Sequence, residues 1–164
     1  GTRYLSVMPT NCYGPGDNYD LESAHVLPAL IRRIHGAKIA NKESFEAWGT
    51  GNVSREFLYS DDLAEACIHL LALSKGNLKF LYNDDRPPII NIGSGIELKI
   101  SELVDVIVDV IGFKGIVCWD KSKPDGTPRK LLDCSRMTEL GWKPGRTLTE
   151  GVRLVYSEFL RKYA

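Results

Sequence analysis

Read for chemistry, the 164-residue sequence offers His25, Arg33, Trp48, Arg55 and Asp125. His25 stands immediately before the apolar run "VLPALIRR". Histidine titrates close to neutrality and can hold or release a proton there. A place at the N-terminus of a helix disfavours the imidazolium and eases that release. Arg33 and Arg55 carry planar guanidinium groups, which bind the oxygens of a diphosphate two at a time. Arg32, next to Arg33, projects about 100° away on a helix, so one of the pair is a solvated charge. Trp48 precedes Gly49-Thr50-Gly51, and an aromatic face beside small residues can pack on a sugar or ribose. Asp125 lies in "KPDGTPRK", where Pro-Asp-Gly predicts a type I turn. Its carboxylate can accept two hydroxyl hydrogen bonds, with Lys123 and Arg129 as weaker phosphate contacts. Each residue also has a plainer reading: a cap or buried ring for His25, an ion pair for Arg55, core packing for Trp48, a tight turn for Asp125.

These residues need elements to hold them. Residues 3–8 predict a buried strand that ends at Pro9-Thr10-Asn11-Cys12, and the Gly14–Asn18 cluster predicts a loop. Ser23 predicts a cap for a helix running to about Lys38, with Pro28 tolerated near its first turn. Strands are expected over Phe45–Trp48 and Glu56–Tyr59, separated by the turn "GTGN". Ser60 predicts the cap of a helix from Asp61 to about Ser74, where Asp61 and Asp62 favour the positive end of the dipole rather than a metal. A loop is expected over 75–88, then a strand at Ile89–Ile92 broken by Gly93-Ser94-Gly95. A helix over Ser101–Ile111 stopped by Gly112, a strand at Ile116–Trp119, a short helix in "SRMTELGW" and a last helix after the Thr147/Glu150 capping box complete the order. Strands alternating with helices place the chain in the α/β class.

Composition narrows the function classes. Twenty-one basic residues balance 21 acidic ones, so no global charge points to nucleic acid or an anionic membrane. No apolar run approaches the ~20 residues that span a bilayer. Cys12, Cys67, Cys118 and Cys134 are widely spaced, which favours reduced thiols in the cytoplasm over disulfides, and no histidine joins them at metal-ligand spacing. No G-x-G-x-x-G, G-x-x-G-x-x-G or P-loop occurs, and none of the seven tyrosines is followed four residues later by lysine.

"SVMPTNCYGPGDN", "HVLPALIRR", "VSREFLYSDDLAEA", "IINIGSG" and "KPDGTPRKLLD" follow one another in this order. Together they resemble the C-terminal half of an extended short-chain dehydrogenase/reductase, and the second and last of them resemble the GDP-L-fucose synthase family in particular. The resemblance covers nearly the whole chain, from Ser6 to Phe159. It implies the C-terminal substrate-binding part of an extended Rossmann-type reductase, with one Rossmann strand and one Rossmann helix but no complete Rossmann domain. Residues 1–17 and 60–75 would belong to the NADP-binding domain, and residues 18–59 and 89–164 to the nucleotide-sugar domain. The implied reaction is bifunctional: GDP-4-keto-6-deoxy-D-mannose is epimerised at C3 and C5, then reduced at C4 with NADPH to GDP-L-fucose.

The resemblance also implies roles. His25 would be the catalytic acid opposite a cysteine outside these 164 residues. Pro9, Thr10, Asn11, Cys12 and His25 would meet the NADP cofactor, at the strand end where doubly wound sheets bind ligands. Arg33, Trp48, Arg55 and Asp125 would bind the GDP-sugar substrate. A homodimer of the full-length enzyme is implied, and inactivity of these residues alone is expected. The flank of the opening strand and one face of the 61–74 helix are expected to be exposed and to favour self-association. Two other readings stay open: another nucleotide-sugar epimerase or dehydratase of the same superfamily, and a binding module without catalysis.

Overall fold

The opening apolar run forms β1 (Ser6–Pro9) in the computed structural model, which describes residues 4–74, 76–77, 81–82 and 87–163. There follow β2 (Asn11–Tyr13), α1 (Val26–Ile39), β3 (Ser44–Trp48), β4 (Ser54–Tyr59), α2 (Ser60–Leu71), β5 (Ile89–Ile92) and β6 (Glu97–Lys99). The chain continues with α3 (Ile100–Ile111), β7 (Ile116–Asp120), α4 (Ser135–Glu139) and α5 (Leu148–Tyr163). The α/β class holds. Of the loop expected over 75–88, residues 75, 78–80 and 83–86 lie outside the described residues, while 76–77 and 81 have helical backbone.

Among the described residues the strands form three small sheets. β1 runs parallel to β5, with Pro9 opposite Ile92. β2 runs parallel to β4, and β6 runs antiparallel to β4 on its other side. β3 pairs in parallel with β7. The three-residue strands β2 and β6 are too short to show an alternating pattern, so only their partner β4 defines them. The loop after β7 returns to β4 as well: Ser54 N–H donates to the Pro128 carbonyl at 2.9 Å, and Lys130 N–H donates to the Ser54 carbonyl at 3.2 Å.

The apolar faces pack into two clusters. The larger joins Leu30, Ile31 and Ile34 of α1, Leu103 and Ile107 of α3 and Val152 and Val155 of α5 beneath β3 and β4. The smaller joins Leu58, Ala66 and Leu70 to Ile90 and Ile92 of β5 and to Met137 and Trp142, with Leu5 and Val7 against it. β1 is not the buried strand expected, since Ser6, Met8 and Pro9 are exposed, whereas the exposure of Met8 on β1 and of Ile68 and Leu71 on α2, Leu71 at 87%, is as expected for an open flank and helix face.

Two helix starts differ from expectation. The cap of α1 is His25, and Ser23 instead donates from its hydroxyl to Asp20 within the preceding turn, at 3.0 Å. The cap of α2 is Tyr59, so Ser60 is already helical. Ser60 packs its hydroxyl where any side chain on Gly14 would stand: a Cβ there would fall 1.9 Å from Ser60 Oγ. Local capping preference yields in both places to contacts with residues distant in sequence or already engaged. The Thr147/Glu150 box forms as expected, with Thr147 N–H donating to Glu150 at 2.8 Å.

Candidate functional site

Strand β4 organises the site, because its successive side chains leave on opposite faces. Arg55 points into a cavity of about 200 Å³ whose lining includes Val26, Trp48, Pro124 and Asp125. Three of the residues singled out for chemistry thus meet at one place. Val26, the residue after His25, brings the start of α1 to the same cavity.

Asp125 closes this cavity on the side of the Gly49-Thr50-Gly51 turn. Its Oδ1 accepts the Thr50 N–H at 2.7 Å and its Oδ2 accepts the Thr50 hydroxyl at 2.8 Å. These two bonds hold the carboxyl below its ordinary pKa. Gly49 is needed here: its φ is +80°, and a Cβ would lie 2.3 Å from Asp125 Oδ1. Asp125 therefore fixes the turn beside Trp48 while each oxygen keeps lone-pair capacity for a ligand hydroxyl. Across from it, Arg55 Nη1 donates to the Ser54 carbonyl at 2.7 Å, and Arg55 Nη2 lies 3.7 Å from where a Cβ on Gly126 would be. The Pro-Asp-Gly turn and the guanidinium are neighbours.

Trp48 is 61% exposed, so the core-packing reading does not describe it. The Arg33 guanidinium lies 5.1 Å from a Trp48 ring centroid and 5.2 Å from that of Phe45, and its Nη2 donates to the Glu46 carbonyl at 2.7 Å. Burial pulls the Arg33 pKa down, with Glu46 partly opposing the shift. Arg33 thus backs Trp48 and is absent from the cavity lining. Arg32 turns the other way, donating to the Tyr19 carbonyl at 2.8 Å. Lys123 Nζ stands 5.9 Å from the Trp48 ring centroid. Arg129 is taken up in a two-bond pair with Glu97 at 2.7 and 2.8 Å, so the phosphate contact considered for it has a structural competitor.

His25 is exposed, and its ring has no hydrogen-bond partner among the described residues. Its backbone carbonyl accepts the Ala29 N–H at 3.0 Å. Neither plainer reading, a side-chain cap or a buried ring, is what the structure shows. The ring is free to meet a ligand.

Pro9 to Cys12 lie apart from this cavity. Pro9 ends β1 opposite Ile92, and Thr10 N–H donates to the Ile92 carbonyl at 3.0 Å. Thr10 Oγ1 and Asn11 Nδ2 both donate to the Glu56 carbonyl, at 3.2 and 2.8 Å. Cys12 donates to the Thr10 carbonyl at 3.5 Å, and burial pushes its thiol pKa up, away from a reactive thiolate.

A sequence profile of the NAD dependent epimerase/dehydratase family matches residues 1–93, more than half of the chain. The chain belongs to that family. The matched stretch carries His25, Arg33, Trp48 and Arg55, and leaves Asp125 beyond it. GDP-L-fucose synthase 1 of Arabidopsis thaliana is 48% identical over 161 residues, covering 98% of this chain and 47% of that relative. GDP-L-fucose synthase of Escherichia coli (strain K12) is 45% identical over 162 residues, covering 98% and 50%. The crystal structure of a GDP-L-fucose synthetase from Naegleria fowleri bound to NADP superposes with a TM-score of 0.80 at 28% identity, over 97% of this chain and 47% of that one. The chain spans about half the length of the curated relatives it matches.

Two residues at the candidate site carry no motif in the sequence. In the sequence Thr50 is a turn residue between glycines. Glu56 begins a predicted strand, where a carboxylate heading the apolar run "FLY" is a visible anomaly. Asp62 stands in the first turn of α2, as its expected helix-dipole role requires. It is also buried and ion-paired, its Oδ1 accepting Arg146 Nη1 at 2.7 Å.

Proposed function

We propose that these residues supply the substrate-binding share of a GDP-L-fucose synthase, a bifunctional isomerase and reductase converting GDP-4-keto-6-deoxy-D-mannose to GDP-L-fucose. The convergence of Trp48, Arg55 and Asp125 on one cavity, in a chain so like two GDP-L-fucose synthases, carries the reading. The cavity is smaller than the about 300–1,000 Å³ of complete small-molecule pockets, which fits a shared site. Arg55 binds diphosphate oxygens, Trp48 offers its exposed face to ribose or sugar with Arg33 fixing its ring, and Asp125 accepts a sugar hydroxyl. The 4-keto group acidifies the protons at C3 and C5 through enolate formation, and His25 returns a proton during inversion.

NADPH supplies the hydride that reduces C4. The parallel strands β1 and β5 end together at Pro9 and Ile92, so Thr10 and the Gly93–Gly95 turn follow the same carboxyl end of that sheet, the kind of end at which doubly wound sheets receive ligands. Pro9, Thr10, Asn11 and Cys12 would hold the cofactor there, and His25 would join them. Residues 1–17 and 60–75 go with the cofactor domain, and 18–59 and 89–164 with the nucleotide-sugar domain. The smaller apolar cluster supports grouping Leu5 and Val7 with Ala66 and Leu70, and it draws β5, Met137, Leu140 and Trp142 to the same side, while Tyr13 packs in the larger cluster. The full-length enzyme works as a homodimer in the cytoplasm.

The test uses the full-length enzyme in deuterated water with GDP-4-keto-6-deoxy-D-mannose and NADPH. NMR should show deuterium entering at C3 and C5 and GDP-L-fucose forming as NADPH is consumed. His25→Asn should slow deuterium entry by about a hundredfold or more while GDP still binds. Absence of deuterium entry in the wild type, or an undiminished rate in the variant, contradicts the assignment.

A further inference from the structure

Glu56 is completely buried, yet no ion pair among the described residues includes it. Its two carboxylate oxygens are instead divided between two distant backbone segments. Oε1 accepts the Gly95 N–H at 2.7 Å, and Oε2 accepts the Leu132 N–H at 3.1 Å. Its own carbonyl accepts Thr10 and Asn11. Three segments therefore end on one residue of β4, next in the chain to Arg55: the Thr10–Asn11 junction of β1 and β2, the Gly93–Gly95 turn, and the far end of the loop that carries Asp125. Gly93 is shaped to this carboxylate. A Cβ there would lie 2.2 Å from Oε1 and 2.8 Å from Cδ. The Gly-Ser-Gly turn is thus a cradle for a carboxylate of the chain itself. A carboxylate suits the task because both oxygens are acceptors, whereas a glutamine amide has one acceptor and would turn a donor toward one of the two N–H groups.

We propose that Glu56 is a positioning residue for the nucleotide-sugar pocket. By tying Leu132 to β4 it anchors the end of the 121–132 loop beside the Ser54 bonds to Pro128 and Lys130, and together these hold Asp125, with its Thr50 clasp, at a set distance from Arg55. Loosening it lets the Asp125 and Arg55 walls separate although neither residue is altered. The inference rests on the nucleotide-sugar reading of the pocket only for the identity of the ligand; the anchoring itself is a property of this chain.

The experiment compares wild type, Glu56→Gln and Gly93→Ala, each measured by residue-resolved amide exchange, by thermal unfolding and by calorimetric titration with GDP. Glu56→Gln keeps the shape and removes one acceptor; Gly93→Ala crowds the same carboxylate without changing it, and serves if the first variant does not fold. Expected are cooperative unfolding, exchange at Leu132 and Thr50 faster by about tenfold while α5 amides are unchanged, and GDP affinity weaker by about tenfold. Unchanged exchange at Leu132 and Thr50 overturns the proposal. So does acceleration that is uniform across the molecule, or GDP affinity equal to wild type with the loop opened. If the wild type itself binds no GDP, the ligand reading fails, and the exchange at Leu132 and Thr50 still decides the anchoring.

Discussion

Arg55 and His35 show two ways in which a charged or titratable side chain can be held. Arg55 gives one hydrogen bond to the Ser54 carbonyl and directs the remainder of its guanidinium into the cavity beside Gly126. His35 lies within the α1–α5 packing, its Nδ1 3.0 Å from the Tyr156 hydroxyl and its ring against Phe159. Burial lowers its pKa from the ordinary 6.5, and the Lys38 cation adds to the shift. The folded chain therefore resists a proton that the unfolded chain accepts, so His35 contributes stability above pH 6.5 that is lost as the pH falls below it. Melting temperatures measured from pH 7.5 to 5 should fall less steeply for His35→Gln than for wild type; parallel curves would contradict this. In the sequence His35 showed only its place on a helix, because its partner lies 121 residues away.

At the scale of elements, α2 is fastened to the lead-in of α5 by the half-buried Arg146, which pairs with the buried Asp62 and more loosely with Asp61 and Glu65. Asp62 is 1% exposed and accepts from both Arg146 Nη1 and Arg146 N–H, while the guanidinium lies over the Tyr59 ring at 4.9 Å. Removing the cation leaves a buried carboxylate uncompensated; removing the carboxylate leaves a cation that can turn to water. Arg146→Ala should therefore lower the melting temperature by several degrees, and by more than Asp62→Ala does. Equal losses, or the reverse order, would refute that account. The sequence displayed α1, α3 and α5 through their apolar periodicity and the stops at Gly112 and Gly141 through their composition, both of which have positive φ. It did not display β2, β6 or the caps of α1 and α2. Three-residue strands carry no period, and Ser23 looks like a cap until its bond to Asp20 is known. The site was legible where residue type limits chemistry, as at Arg55, Trp48 and Asp125. It was hidden where a residue's place depends on a long-range contact, as at Thr50 and Glu56.

For the molecule as a whole, two apolar clusters meet along β4, whose Leu58 joins the smaller and whose Phe57 and Tyr59 join the larger. The same strand sends Arg55 to the cavity and Glu56 to the anchoring of three other segments. One strand thus couples the packing of the chain to the spacing of its candidate ligand contacts. The central claim is that this arrangement binds the diphosphate of a guanine nucleotide through Arg55. The most direct measurement is calorimetric titration of the 164-residue chain with GDP and UDP, repeated on Arg55→Ala. The account predicts that GDP binds more tightly than UDP, and that Arg55→Ala weakens GDP by about ten- to a hundredfold, the loss expected for charge-assisted hydrogen bonds. Equal affinity for the two nucleotides, or GDP binding untouched by the substitution, would contradict it.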